Sequence, residues 1–110
     1  MKKVIINNCY GGFNLSDQAM EKYGQLKGLN LKKIGTEYYI NGVENEKYIF
    51  DERDIKRDDP YLIEVVSTLK KAANGFLSDL KIVEIPQDVR FIIEDYDGLE
   101  TVVEKRRRWN

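Results

Sequence analysis

The residue pattern predicts an α+β fold in which two helices pack on a mostly antiparallel sheet of five to six strands. Three observations lead there. Only two segments, 16–28 and 59–75, combine helical spacing of apolar residues with capping signals at both ends. The other apolar segments are short and alternating or contiguous, as strands are. Asp97-Gly98 stands between two alternating runs, which is the strongest local sign of a hairpin. A doubly wound parallel sheet would need more helices than this order, β-α-β-β-α-β-β-β, provides. With 110 residues the chain reads as a single domain, 1–110. It is expected to bury about two-thirds of its unfolded surface.

Residues 2–7 begin the chain as a strand. Val4, Ile5 and Ile6 are contiguous, so burial on both faces is expected. A polar turn, Asn7-Asn8-Cys9-Tyr10-Gly11-Gly12, leads to the first helix. Ser16 is its expected N-cap, Leu15 and Met20 form a hydrophobic staple, and Gly28 closes it. Ala19, Met20, Tyr23 and Leu26 give it one apolar stripe. Between Leu31 and Glu52, Tyr38 and Ile40 alternate, Asn41-Gly42 marks a turn, and Tyr48 and Phe50 alternate again, which predicts a hairpin.

The run Asp51 to Asp59 is highly charged and reads as an exposed connection. Within it Arg53, Arg57, Asp58 and Asp59 are expected to form surface ion pairs of little worth. Asp59 then caps the second helix, with Pro60 at its first position and Leu62, Val65, Val66, Leu69 and Ala73 on one face. Asn74-Gly75 ends it. Leu80, Ile82 and Ile85 form a strand stopped by Pro86. The final hairpin, Val89–Tyr96 with Leu99–Lys105, puts Ile93 opposite Val102, Ile92 opposite Val103 and Asp95 opposite Glu100. That last pairing sets like charges together and calls for a nearby cation.

Eighteen basic and nineteen acidic residues leave a net charge of −1, which gives no basic face for duplex nucleic acid. A single cysteine excludes an intramolecular disulfide, and the absence of histidine removes the commonest general base and most zinc sites. No apolar run has the length of a membrane span. These features predict an intracellular, cytoplasmic protein with no catalytic residues, no metal and no cofactor.

The candidate binding residues lie in two places. At the first turn, Asn7 and Asn8 would line a pocket beside the Gly11 and Gly12 amides, which with the helix start offer unpaired donors to an anion. Asn8 would read a base or ribose edge, and Tyr10 or Phe13 would stack on a base. The plainer reading is that glycine and asparagine serve a tight turn. At the chain's end, Arg107 and Arg108 would hold phosphate beside Trp109, or the same residues form a solubilising tail. Cys9 reads as a packed thiol rather than a reactive one. Glu94, Asp95, Asp97 and Glu100 cluster at the last turn, where turn chemistry already accounts for Asp97.

The blocks NNCYGGFNLS, RDDPYLIEVV, LKIVEIP, EDYDGLE and RRW resemble, in that order, a family of small proteins carried by bacteriophages and prophages. The chain is also similar in class to phage counter-defence proteins that sequester nucleotide signals, such as the Thoeris anti-defence sponges. That likeness implies a non-enzymatic homo-oligomer in the host cytoplasm, binding a cyclic nucleotide or a cyclic ADP-ribose-type messenger between protomers. The alternative expectations are a protein–protein inhibitor or assembly module that binds a host protein and, third, a phosphodiesterase or ribonuclease-like hydrolase working through carboxylates, Tyr or Lys.

Overall fold

The computed structural model describes residues 1–105; Arg107, Arg108 and Trp109 lie outside the described residues. Among the described residues the architecture is α+β, with two helices and seven strands. In order they are β1 (Lys2–Asn7), α1 (Asp17–Lys27), β2 (Leu31–Ile34), β3 (Glu37–Ile40), β4 (Ile49–Phe50), α2 (Pro60–Leu69), β5 (Leu80–Ile85), β6 (Phe91–Tyr96) and β7 (Leu99–Glu104). Every strand pairing is antiparallel. The strands sort into three small sheets, β1-β5, β2-β3-β4 and β6-β7, where one sheet of five to six strands is expected from the sequence.

The division has a physical cause at β1. One edge of this strand pairs with β5 from Lys2↔Ile85 to Asn7↔Leu80. The other edge is taken up before β7 can reach it. The Ile5 N–H donates to the Arg57 carbonyl at 2.8 Å, and the Asn7 N–H donates to Glu100 Oε1 at 2.8 Å. The hairpin therefore lies beside β1 without joining its ladder. Both faces of β1 are buried from Val4 to Asn7, as its contiguous apolar run requires.

The helix caps form as the sequence indicates. Ser16 Oγ accepts from the Ala19 N–H at 3.1 Å and donates to the Ala72 carbonyl at 2.6 Å. This ties the start of α1 to the 3₁₀ turn Lys70–Ala73, which follows a break at Lys70 (φ 53°), so that α2 ends at Leu69 rather than running on to Asn74-Gly75 as expected. Asp59 caps α2 through one oxygen, accepting from the Tyr61 N–H at 2.8 Å. Its other oxygen accepts from the Tyr23 hydroxyl at 2.8 Å and from Lys27 Nζ at 2.9 Å, so one carboxylate joins both helices. The core between them holds Ile5, Leu15, Met20, Tyr23, Leu62 and Val65, with Phe50 stacked 5.8 Å from Tyr23.

Two local expectations change. Between 31 and 52 there are three strands rather than a simple hairpin. Gly35, at φ 66°, turns β2 into β3, and Asn41-Gly42, both left-handed, opens a longer path to β4. The charged run 51–59 is not simply exposed, because Ile55 inserts into the core and Asp59 is buried. The last hairpin has the predicted register, with Asp97 at φ 49° and Gly98 at φ 91°.

Candidate functional site

The C-terminal end of β1 gathers three loops around one buried amide. Asn7 ends the strand with no solvent exposure. Its Nδ2 donates to the Cys9 carbonyl at 2.9 Å and to the Gly98 carbonyl at 2.7 Å. Its Oδ1 accepts from the Asp79 N–H at 2.8 Å and from Cys9 Sγ at 3.4 Å. A carboxamide has two donors and an acceptor oxygen with two lone pairs, and here all are used. Asn7 thus fixes the 8–14 loop, the 74–79 loop and the tip of the last hairpin to one another.

The glycines let these backbones meet. A Cβ on Gly11 would lie 1.7 Å from the Leu77 carbonyl oxygen, and one on Gly98 would lie 2.6 Å from the Gly12 nitrogen. Neither position tolerates a side chain without moving a loop. The glycine pair serves close packing, and Gly98 already lies against the Gly12 amide offered as an anion donor.

Behind this junction lies an ion pair. Arg57 donates through Nη1 and Nη2 to the two oxygens of Glu100, at 2.5 and 2.8 Å, and Nη1 also reaches the Ile5 carbonyl at 3.3 Å. The side chains are only 17% and 5% exposed, which corrects the expectation of a surface pair for Arg57. The same guanidinium lies 3.6 Å over the centre of the Phe13 ring. It supplies the cation that the Asp95–Glu100 pairing calls for. Asp59, paired with Lys27, is likewise buried rather than superficial, whereas Arg53 and Asp51 do form an exposed pair at 2.8 Å.

What the junction presents outward is apolar and aromatic. Tyr10 is 69% exposed, Phe76 95%, Leu77 56% and Tyr96 72%. They ride on the three loops whose backbones touch. Of the expected binding residues, Asn8 and Tyr10 are at this surface, Gly11 and Gly12 lie within the packed junction, and Phe13 turns inward beneath Arg57. Sequence reasoning offers Asn7 as a pocket-lining residue, whereas the structure buries it as the link between loops, and it passes over Phe76, Leu77 and Tyr96. The signal for Phe76-Leu77 is an apolar pair placed just after a helix-ending Asn-Gly, where a turn would ordinarily be polar.

A second concavity of about 350 Å³ lies between the start of α1, the β2–β3 hairpin and residues 50–53. Its charges are largely matched from within. Asp17 accepts from the Tyr38 hydroxyl at 2.7 Å and from Lys33 at 3.1 Å, and these bonds hold its carboxyl below its ordinary range. Tyr38 is raised by burial and by Asp17. Glu52 accepts from the Leu15 N–H at 2.9 Å, yet burial and the neighbouring acids push its carboxyl upward.

Among the described residues, no three His, Cys, Asp or Glu side chains are grouped to hold a metal ion. No helix there is long and apolar enough to cross a membrane. No protein-family model matches the chain, and neither a curated protein nor a solved structure matches it.

Proposed function

We propose that the protein is a non-enzymatic binding module of phage origin whose working surface is the three-loop end carrying Tyr10, Phe76, Leu77 and Tyr96, and that its partner is a host protein. The observation that carries this reading is the exposure of four large apolar side chains on backbones locked together by Asn7. Exposed aromatic clusters of this kind favour protein contacts, and rigid aromatic anchors lose little entropy on binding. The resemblance to phage and prophage proteins supports placing that partner in the cytoplasm of the host.

Sequestration of a cyclic nucleotide or cyclic ADP-ribose-type signal is the second reading. Tyr10, beside exposed Asn8, favours it as a stacking platform. One comparison separates the two. Tagged protein and a Tyr10→Ala/Phe76→Ala/Tyr96→Ala variant are used to capture partners from host lysate, and both are titrated calorimetrically with cyclic di- and trinucleotides and cyclic ADP-ribose isomers. One stoichiometric host protein, captured by the parent alone, is the expected result. Heat from a nucleotide with no protein captured would establish the second reading and displace the first.

A further inference from the structure

The last hairpin has an edge that pairs with nothing among the described residues. β7 lies toward β1, and β6 is the outer strand of its two-stranded sheet. The Lys105 N–H donates to the Arg90 carbonyl at 2.8 Å, so the backbone groups of Arg90, Ile92, Glu94 and Tyr96 point to β7. By alternation those of Phe91, Ile93 and Asp95 point outward. This open ladder contains no proline, lysine or bulge of the kind that blunts edges.

We propose that the edge takes a second copy of this chain, with β6 pairing antiparallel to β6 about a two-fold axis at Ile92. Such an axis keeps each residue on its own face, so only registers centred on a residue are allowed. Centred on Ile92, Phe91 meets Ile93 and each Arg90 meets the other copy's Glu94, giving two opposite-charge pairs around an apolar middle. Centred on Ile93, Ile92 would meet Glu94 and Phe91 would meet Asp95, mixing charge with apolar surface throughout. Centred on Phe91, Arg90 would meet Ile92 and Glu94 would fall opposite the turn at Asp88, outside the strand, and centred on Glu94 that residue would meet itself. Charge complementarity therefore selects one register. Ile92 is 45% exposed, with Val103 opposite it on the same outward face, so the pairing covers apolar surface that the monomer leaves in water. The pairing is centred on Ile92 and does not depend on the loop-end reading.

The register sets the test. Facing Ile92 residues form a non-hydrogen-bonded pair, whose Cα atoms lie about 4.5 Å apart, within the roughly 4.4–6.8 Å that a disulfide spans. Ile92→Cys in a full-length Cys9→Ser background is expected to oxidise to a covalent dimer, whereas Thr101→Cys, exposed on β7, stays monomeric. In the parent chain, sedimentation is expected to show a dimer that Glu94→Arg weakens roughly tenfold by setting like charges together at two sites. Arg90→Glu combined with Glu94→Arg restores it. Arg90 and Glu94 are exposed, so the variants are expected to keep the fold, which circular dichroism checks. A monomer at every concentration overturns the proposal. So does a dimer indifferent to Glu94→Arg, or equal crosslinking through positions 92 and 101.

Discussion

Asn7 and Glu100 carry more of the architecture than their polarity suggests. Each is buried, and each is fully engaged with segments distant in sequence. Glu100→Ala leaves Arg57 mostly enclosed without its counter-charge, which is expected to cost roughly 3–5 kcal/mol in denaturant unfolding. Asn7→Ala orphans the Gly98 and Cys9 carbonyls and the Asp79 amide, and a loss of about 3 kcal/mol is expected. Exchange of the Asp79 amide proton should speed up in that variant even where global stability is restored by a ligand or osmolyte. The hairpin register called for a cation near Glu100 without saying which, and the role of Asn7 was not legible from the chain alone. Asn7 adjoins an apolar run and resembles any turn asparagine. Arg57 sits in DERDIKRDD, where a solvated ion pair is the ordinary outcome. What singles them out is a partner 91 and 43 residues away, respectively.

At the scale of elements, local chemistry decides most of what forms. The Ser16 cap, the Asp59-Pro60 start and the Asp97-Gly98 turn all sit where their residue types indicate. Ser16→Ala is expected to cost about 1 kcal/mol through the lost cap, with a further loss from the freed Ala72 carbonyl. The union of α1 and α2 through Asp59 makes a pH prediction. Burial works to raise this carboxyl, but its bonds from Lys27, Tyr23 and the first turn of α2 outweigh that and lower it. A lowered folded pKa means stability that is present above the ordinary value of about 4 and lost as pH falls through the folded one. Glu52 has the opposite sign. Its raised carboxyl takes up a proton first in the folded state, so stability rises as pH falls toward the ordinary carboxylate range. Melting temperature followed from pH 7 downward should therefore climb slightly before it drops. Glu52→Gln, which keeps an acceptor for the Leu15 amide, should abolish the climb, and Asp59→Asn should flatten the drop. The strands between 31 and 52 were harder to read. β2 is mostly exposed and lysine-rich, and β4 has only two residues, so neither imposes a period on the sequence.

Across the whole molecule, the hairpin strands keep the predicted register while the sheet they were expected to extend is interrupted. Periodicity reports which face of a strand is buried, but it does not report that a guanidinium and a carboxylate stand at the edge where the next strand would pair. For the same reason Gly11-Gly12 looks from sequence like a free cradle, although other loops pack against it. The proposed working end is consequently a composite of residues 10, 76, 77 and 96 that no local motif announces. Its anchoring by Asn7 is what makes it a preformed surface rather than three separate loops. The most direct measurement is site-specific photocrosslinking in host cells, with a benzophenone side chain placed at Phe76 or, as a control, at exposed Tyr48 on the 3₁₀ turn Glu46–Tyr48. One discrete adduct to a host protein from position 76, absent from position 48 and lost on Tyr10→Ala/Tyr96→Ala, is the expected result. An adduct formed equally from both positions, or none from position 76 while position 48 reacts, would contradict it.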